Sequence, residues 1–436
     1  MKNIILRVKK ILKNPFLVSS LVMIIGSNLY NAGQFLYHFI TARFLEKTYG
    51  ESLGKAYYGD VAAIISFLAL VAIVQLSLGL TIVKFIASAK DKKAILGISS
   101  WFYKWSFRFG LIFAFLVFLI SPVSAKFLNI TQPESFYVLA PILFFYILIT
   151  TGRSILQGTL AFNRFVLSML AEVSGKIIVT VIFISLGFAV FGVISAILIG
   201  VIISFLVTYL FIKKYLSFRI EQKPNLKSVV AFSLPVLLQG LALTFMYSTD
   251  LLLVKHFFSP QEAGLYAALS VLGRVAFFST SPVTHVMFPL IAKRHSHGDS
   301  YHNIFFLSIL LVSAISGAVI VLYYLFPELP LHIYGASYVV GAPILWLFAL
   351  FMGLLGLASL LIQFYLSINR IKVVGVFILA AILQAVLIWF FHDNLSQVVQ
   401  VSILATALLV FSLLVYFPYH DRLSPKGFGA TSQSKR

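Results

Sequence analysis

"FSLPVLLQGLALTFMYSTDLLLVKHFFSPQEAGLYAAL", Phe232 to Leu269, consists of two apolar runs joined by a short loop carrying Glu262. The first run holds few charges and is long enough, as a helix, to cross a hydrocarbon core of ~30 Å. The second starts directly after the loop, so the stretch predicts a helical hairpin in a membrane. Two charges interrupt the pattern: Asp250 inside the first run, and Arg274 inside the continuation of the second. A charge in such a place is expensive and needs a partner or a task.

The rest of the chain extends the same reading. Of 436 residues, 60% are hydrophobic and 11% charged, against roughly 45–50% apolar content in soluble domains. There is no cysteine, which excludes a disulfide framework and thiolate metal ligation. Lys2, Arg7, Lys9, Lys10 and Lys13 precede an apolar run from Phe16. That run continues to Ile40 without a small-residue cleavage site, as expected of a retained first helix and not a removed signal.

Apolar stretches recur twelve times, at about 16–42, 59–83, 101–123, 136–157, 165–188, 190–212, 229–254, 263–291, 304–326, 337–366, 372–391 and 398–418. The fold expected is an all-α polytopic membrane protein of about twelve transmembrane helices in two six-helix bundles. The 33 Lys and Arg against 13 Asp and Glu test that count, because an error of one helix would scramble their alternation between connections. Arg43, Lys47, Lys55, Lys126 and Lys255 fall outside, Lys176 and Arg274 fall within spans, and the other bases, Arg153 and Arg164 included, fall in connections assigned to the inside. Both termini are then cytoplasmic, and the basic excess orients loops without invoking nucleic acid. "KKYLSFRIEQKPNLKS" divides the chain into an N-terminal bundle at 1–212, an interfacial linker at 213–228, a C-terminal bundle at 229–418 and a basic tail at 419–436.

The halves share a local pattern. Arg43 and Lys255 are each followed by a short acidic loop and a Gly-and-Tyr helix start, Tyr58-Gly59 in one half and Gly264-Leu265-Tyr266 in the other. Internal repeats of this kind are typical of transporters that rock two bundles about a central site. On Pro235, Asp250 before an apolar triplet, and Gly264 with Tyr266, the sequence resembles the polysaccharide or oligosaccharide flippases of the MOP superfamily, which includes the Wzx-like O-antigen flippases. "YYGDVAAIISFLALVAIVQLSLGLTIVKFIA", with Gly79 and Lys84, resembles the equivalent first-half segment. Lys255 and His256 depart from the small or apolar residues commoner there.

The resemblance implies movement of a polyprenyl-pyrophosphate-linked oligosaccharide, a precursor of surface polysaccharide such as lipopolysaccharide O-antigen, from the inner to the outer leaflet of the cell membrane by alternating access. It implies no cofactor, and it implies other polysaccharide-assembly proteins as partners. The chemistry agrees: the sugar and pyrophosphate head cannot cross hydrocarbon unaided, whereas the prenyl tail can stay in lipid.

Against that expectation, Arg274 lies about eleven residues into a helix, roughly mid-membrane at ~1.5 Å per residue. It either binds the pyrophosphate or sugar carboxylates or pairs with Asp250 or Glu172. Lys176 follows Glu172 by four residues, the spacing of one helical face, so the two either neutralise each other or serve anion binding and proton coupling. Asp250, nearer the outer surface, reads as a structural or gating partner of Lys255 or Arg274. Arg43 reads as a gating or snorkelling base. Asn28, Asn31, Gln34 and His38 form one polar stripe on the first helix, which either joins helices or lines a hydrated path, with Asn31 and Gln34 as candidate substrate contacts. His295, His297 and His302 share a cytoplasmic loop without structural-metal spacing, so no metal is expected.

Other functions fit these residues less well. A MATE-like drug or small-metabolite exporter shares the fold, but cation export calls for buried acids, whereas the deep charges here include Arg274 and Lys176. A polymerase or ligase needs a large outer loop with a catalytic constellation, and the longest outer connection expected is about fifteen residues, Arg43 to Tyr58. A phosphate-cradling Gly-Lys loop is missing, and "ASAKDKKAILG" lacks the Gly-Asp-Arg pattern of major-facilitator transporters.

Overall fold

The computed structural model describes residues 15–89, 91–217, 224–297, 299–368, 370 and 372–423. The basic N-tail from Lys2 to Lys13, part of the linker at 213–228 and the end of the C-tail lie outside the described residues. Among the described residues twelve long helices follow one another: α1 (Pro15–Tyr49), α2 (Glu51–Ala87), α3 (Lys92–Phe127), α4 (Leu139–Gly158), α5 (Phe162–Ser185), α6 (Val190–Ile212), α7 (Leu226–Phe257), α8 (Pro260–His297), α9 (His302–Leu325), α10 (Ala342–Ser367), α11 (Val373–Phe390) and α12 (Leu395–Leu423). A short helix, Glu328–Tyr334, precedes α10, and no strand occurs among the described residues. Eleven of the twelve, α2 to α12, are long and apolar enough to cross a membrane. This is a multi-pass helical membrane protein.

Several boundaries differ from the sequence reading for local reasons. The connection between the first two helices is a single residue, because α1 runs on to Tyr49 and α2 begins at Glu51. Gly50 makes that reversal with φ 83°, a left-handed conformation that costs a residue with a Cβ about 1 kcal/mol or more. The loop expected from Arg43 to Tyr58 is therefore helix, and α1, with 35 residues, is longer than a bilayer core requires. Asp91 caps α3 by accepting from the Ala94 amide at 2.7 Å, satisfying one of the orphan donors of a helix start.

Compactness divides the described residues into two units. The first extends to Gly240 and includes Phe258–Gly264 and Ile333–Gly335; the second holds Leu241–Phe257, Leu265–His332 and the chain from Ala336. In the first unit α5 packs along α6 and α1, while α4 packs against α2, α3 and α6. In the second, α10 packs against α9 and α12, and α12 also against α11.

Hydroxyl residues are admitted to these apolar helices by bonding back to their own backbone. Thr41 donates to Tyr37 O, Thr151 to Ile147 O, Thr208 to Ser204 O and Thr406 to Ser402 O, each within 2.9 Å. A buried hydroxyl without such a partner would cost a few kcal/mol in hydrocarbon.

Candidate functional site

The first unit brings polar residues together from four helices, each by helical spacing. On α5, Ser168, Glu172 and Lys176 follow at intervals of four, and on α6 so do Gly200, Ser204 and Thr208. On α4, Tyr146 and Arg153 are two turns apart, and on α1 Tyr30, Gln34 and Tyr37 share a face. Intervals of three, four and seven put side chains above one another on a helix. Four polar stripes thus meet inside an otherwise apolar bundle.

At their centre is Glu172, fully buried. Its Oε2 accepts from Arg153 Nη2 at 2.8 Å, and its Oε1 accepts from the Tyr146 hydroxyl at 3.0 Å and the Tyr30 hydroxyl at 3.2 Å. Arg153 is held on its other sides by Ser168 and Ser204. Its Nε donates to Ser168 Oγ at 2.9 Å, and Nη2 donates to Ser168 O at 2.9 Å and Ser204 Oγ at 2.8 Å. With side-chain exposures of 14% and 0%, this is a desolvated ion pair of the kind that costs about 3–5 kcal/mol to break from one side.

Lys176 is 6% exposed and turns towards α1. Its ammonium donates to Gln34 Oε1 and lies 4.1 Å from the centroid of the Tyr37 ring. The carboxylate four residues before it is already occupied by Arg153 and two tyrosines. With all three groups ionised, two bases face one acid, and Lys176 carries the surplus charge.

Arg153 corrects the charge count made from sequence. It was counted with an inner connection although the expected span 136–157 contains it, and α4, Leu139–Gly158, carries it inside the bundle. Lys255, assigned to the outer side, is 1% exposed in the last turn of α7. Of the first-helix candidates, Gln34 joins the cluster, Asn31 lies exposed, and Arg43 is exposed on an additional turn of helix. His38 meets Tyr58, its Nδ1 3.3 Å from the phenolic oxygen.

The second unit holds a separate arrangement. Asp250 on α7 is fully buried, and its Oδ2 accepts from the Tyr266 hydroxyl of α8 at 2.9 Å. Arg274 on α8 donates from Nη2 to Tyr247 O at 2.9 Å and lies 5.3 Å from the Tyr247 ring centroid. The sequence's two interior charges therefore lie in one unit, each held by a tyrosine: Asp250 by the Tyr266 hydroxyl and Arg274 by the Tyr247 carbonyl. Oδ1 of Asp250 and Nε of Arg274 make no hydrogen bond among the described residues.

α5 and α6 must be close for Ser168 to meet Ser204, and Gly200 permits it. A Cβ there would sit 2.8 Å from Lys176 Cβ and 2.9 Å from both Glu172 O and Lys176 N. Backbone atoms cannot retreat, so Gly200→Val is expected to cost about 1–3 kcal/mol by overpacking. A thermal melt in detergent checks this; a variant melting with the wild type would mean that the helices are not in contact at Gly200.

A family model described as "Polysaccharide biosynthesis protein" matches residues 52–343, more than half of the chain. The chain belongs to this polysaccharide biosynthesis family. No curated protein matches the sequence of this family member significantly. Among solved structures, it is similar to an inward-facing multidrug resistance MATE family transporter of the MOP superfamily, with TM-score 0.76 and 16% identity, covering 90% of this chain and 96% of that one. An outward-facing structure of such a transporter matches with TM-score 0.65 and 16% identity over 95% and 98% of the two chains. A MATE in complex with MaL6 matches with TM-score 0.63 and 16% identity over 95% and 99%. The polysaccharide biosynthesis chain therefore has the MATE fold, as the all-helical, two-bundle expectation anticipated; at this identity the likeness concerns fold alone.

Proposed function

We propose that the protein is a flippase that carries lipid-linked oligosaccharide precursors of a surface polysaccharide from the inner to the outer leaflet by alternating access. The observation that carries this reading is the placement of Lys176, a buried base whose neighbouring carboxylate, Glu172, is held by Arg153 and two tyrosines. A polyprenyl-pyrophosphate head is anionic, and a desolvated ammonium binds it by charge-assisted hydrogen bonds about twice as strong as neutral ones. Gln34 beside it suits sugar hydroxyls, and the exposed Asn31 on the same helix is a further candidate contact. Arg274 is the second base on the cargo path, with Asp250 as its gating partner, while Glu172 orders the first site and Arg43 stands at its outer approach. Membership of a polysaccharide biosynthesis family supports this cargo over a drug, and the MATE fold supports a carrier over an enzyme. The positive-inside distribution supports a cell-membrane setting with both termini cytoplasmic, where other proteins of polysaccharide assembly would supply and take the cargo.

The test is reconstitution. Proteoliposomes are expected to move fluorescent lipid-linked oligosaccharide between leaflets, whereas protein-free liposomes do not. Export of a cationic drug without movement of any such lipid would overturn the reading in favour of a MATE-like exporter.

A further inference from the structure

Arg153 is too firmly held to be the group that meets cargo. Its guanidinium donates to Ser168 Oγ, Ser168 O, Ser204 Oγ and Glu172 Oε2, all at 2.8–2.9 Å, and the serines belong to two different helices. Lys176 is held more lightly: among the described residues, Gln34 is the one hydrogen-bond acceptor of an ammonium with three donors. Glu172 stands between the two bases. It precedes Lys176 by four residues on α5, the order and spacing at which an acid and a base pair on a helix, yet its Oε2 is taken by Arg153 and its Oε1 by Tyr30 and Tyr146. One base is thus spent on the acid, and the other is left with its charge.

We infer that Arg153 is a positioning residue that sets the charge preference of the site: by holding Glu172 from α4, it prevents the carboxylate from pairing with Lys176 and keeps the ammonium for an anionic cargo. The inference rests on the reading of Lys176 as the cargo-binding base. Without Arg153 the same three helices would present a neutral Glu172–Lys176 pair, and the site would lose its preference for anions without losing any residue that touches the cargo. A transporter of this architecture could in this way change the charge class of its substrate by substitution at a position outside the binding surface.

Binding of two probes, a polyprenyl pyrophosphate and the uncharged polyprenol of the same chain length, to full-length protein in nanodiscs tests this. The wild type is expected to prefer the pyrophosphate. Arg153→Gln is expected to weaken pyrophosphate binding by about tenfold or more, the effect of losing a charged hydrogen bond, with polyprenol binding unchanged. The double variant Arg153→Gln/Glu172→Gln, which removes the acid as well, is expected to regain the preference. Because it leaves no unpaired buried charge at the pair, it is informative even where the single variant does not fold. A wild-type preference that survives Arg153→Gln, or a folded double variant that lacks the preference, overturns the inference alone. A wild type that binds pyrophosphate no better than polyprenol overturns the flippase reading, and the inference falls with it.

Discussion

Lys176→Gln is expected to reduce flipping of a lipid-linked oligosaccharide by about 10- to 100-fold, the range corresponding to one charge-assisted hydrogen bond of roughly 1.5–3 kcal/mol. The amide can still reach Gln34, so the hydrogen bond across α1 and α5 can persist while the charge goes. Glu172 keeps Arg153, Tyr30 and Tyr146, which confines the loss to cargo recognition and leaves folding near that of the wild type. Proteoliposome flipping and a melting curve on the same preparation separate the two. Near-native flipping by a stable Lys176→Gln protein would remove this lysine from the mechanism. Lys176→Glu is the stronger form: it places a second acid four residues from the first and turns the surplus charge negative, so binding of an anionic probe should fall below that of the glutamine variant.

The fold was legible because it is written in long apolar runs whose length the bilayer sets. The twelve helices are present, and even the division within residues 165–212 was placed correctly, since "LGFAVFG" interrupts the run where α5 ends at Ser185 and α6 begins at Val190. Where hydropathy misled, the cause was helix outside the hydrocarbon. The polar residues from Arg43 to Tyr58 look like a loop by composition, yet α1 and α2 run through them and Gly50 alone turns the chain. The resemblance carried by Pro235, Asp250, Gly264 and Tyr266 points to a polysaccharide family from short motifs, in keeping with the family model that matches residues 52–343, and two of those residues, Asp250 and Tyr266, hydrogen-bond to each other.

The site was legible only in part. Glu172 and Lys176 were recognisable as charges inside a span, and their interval of four suggested a mutual pair. What decides against it is a third residue on another helix. A tally of bases near helix ends treats Arg153 as an orienting charge, because its burial depends on Ser168, Ser204 and Glu172, which are distant in sequence. One signal was available: Tyr146 with Arg153, Ser168 with Glu172 and Lys176, and Gly200 with Ser204 and Thr208 each repeat at helical intervals. Such stripes on neighbouring spans identify faces that must meet, since a polar stripe turned to lipid would go unsatisfied. Lys255 is a second instance, assigned to the outer side because it ends an apolar run but buried in the last turn of α7.

Arg274→Met is expected to lower stability by about 1–3 kcal/mol, because it removes the charged donor to Tyr247 O and takes an opposite charge out of the unit that buries Asp250. Arg274→Met/Asp250→Asn removes both charges and is expected to recover part of that loss, since no buried carboxylate is then left to be desolvated. Thermal melts of the two variants in detergent decide the point, and a single variant as stable as the wild type would show that the pair contributes nothing to folding. The restored double variant then isolates transport from folding. As the second base on the cargo path, Arg274 should be missed there, so flipping is expected to stay low although the fold is intact. Wild-type flipping by that protein would make Arg274 and Asp250 a packing device of the second unit and leave cargo recognition to Lys176 in the first.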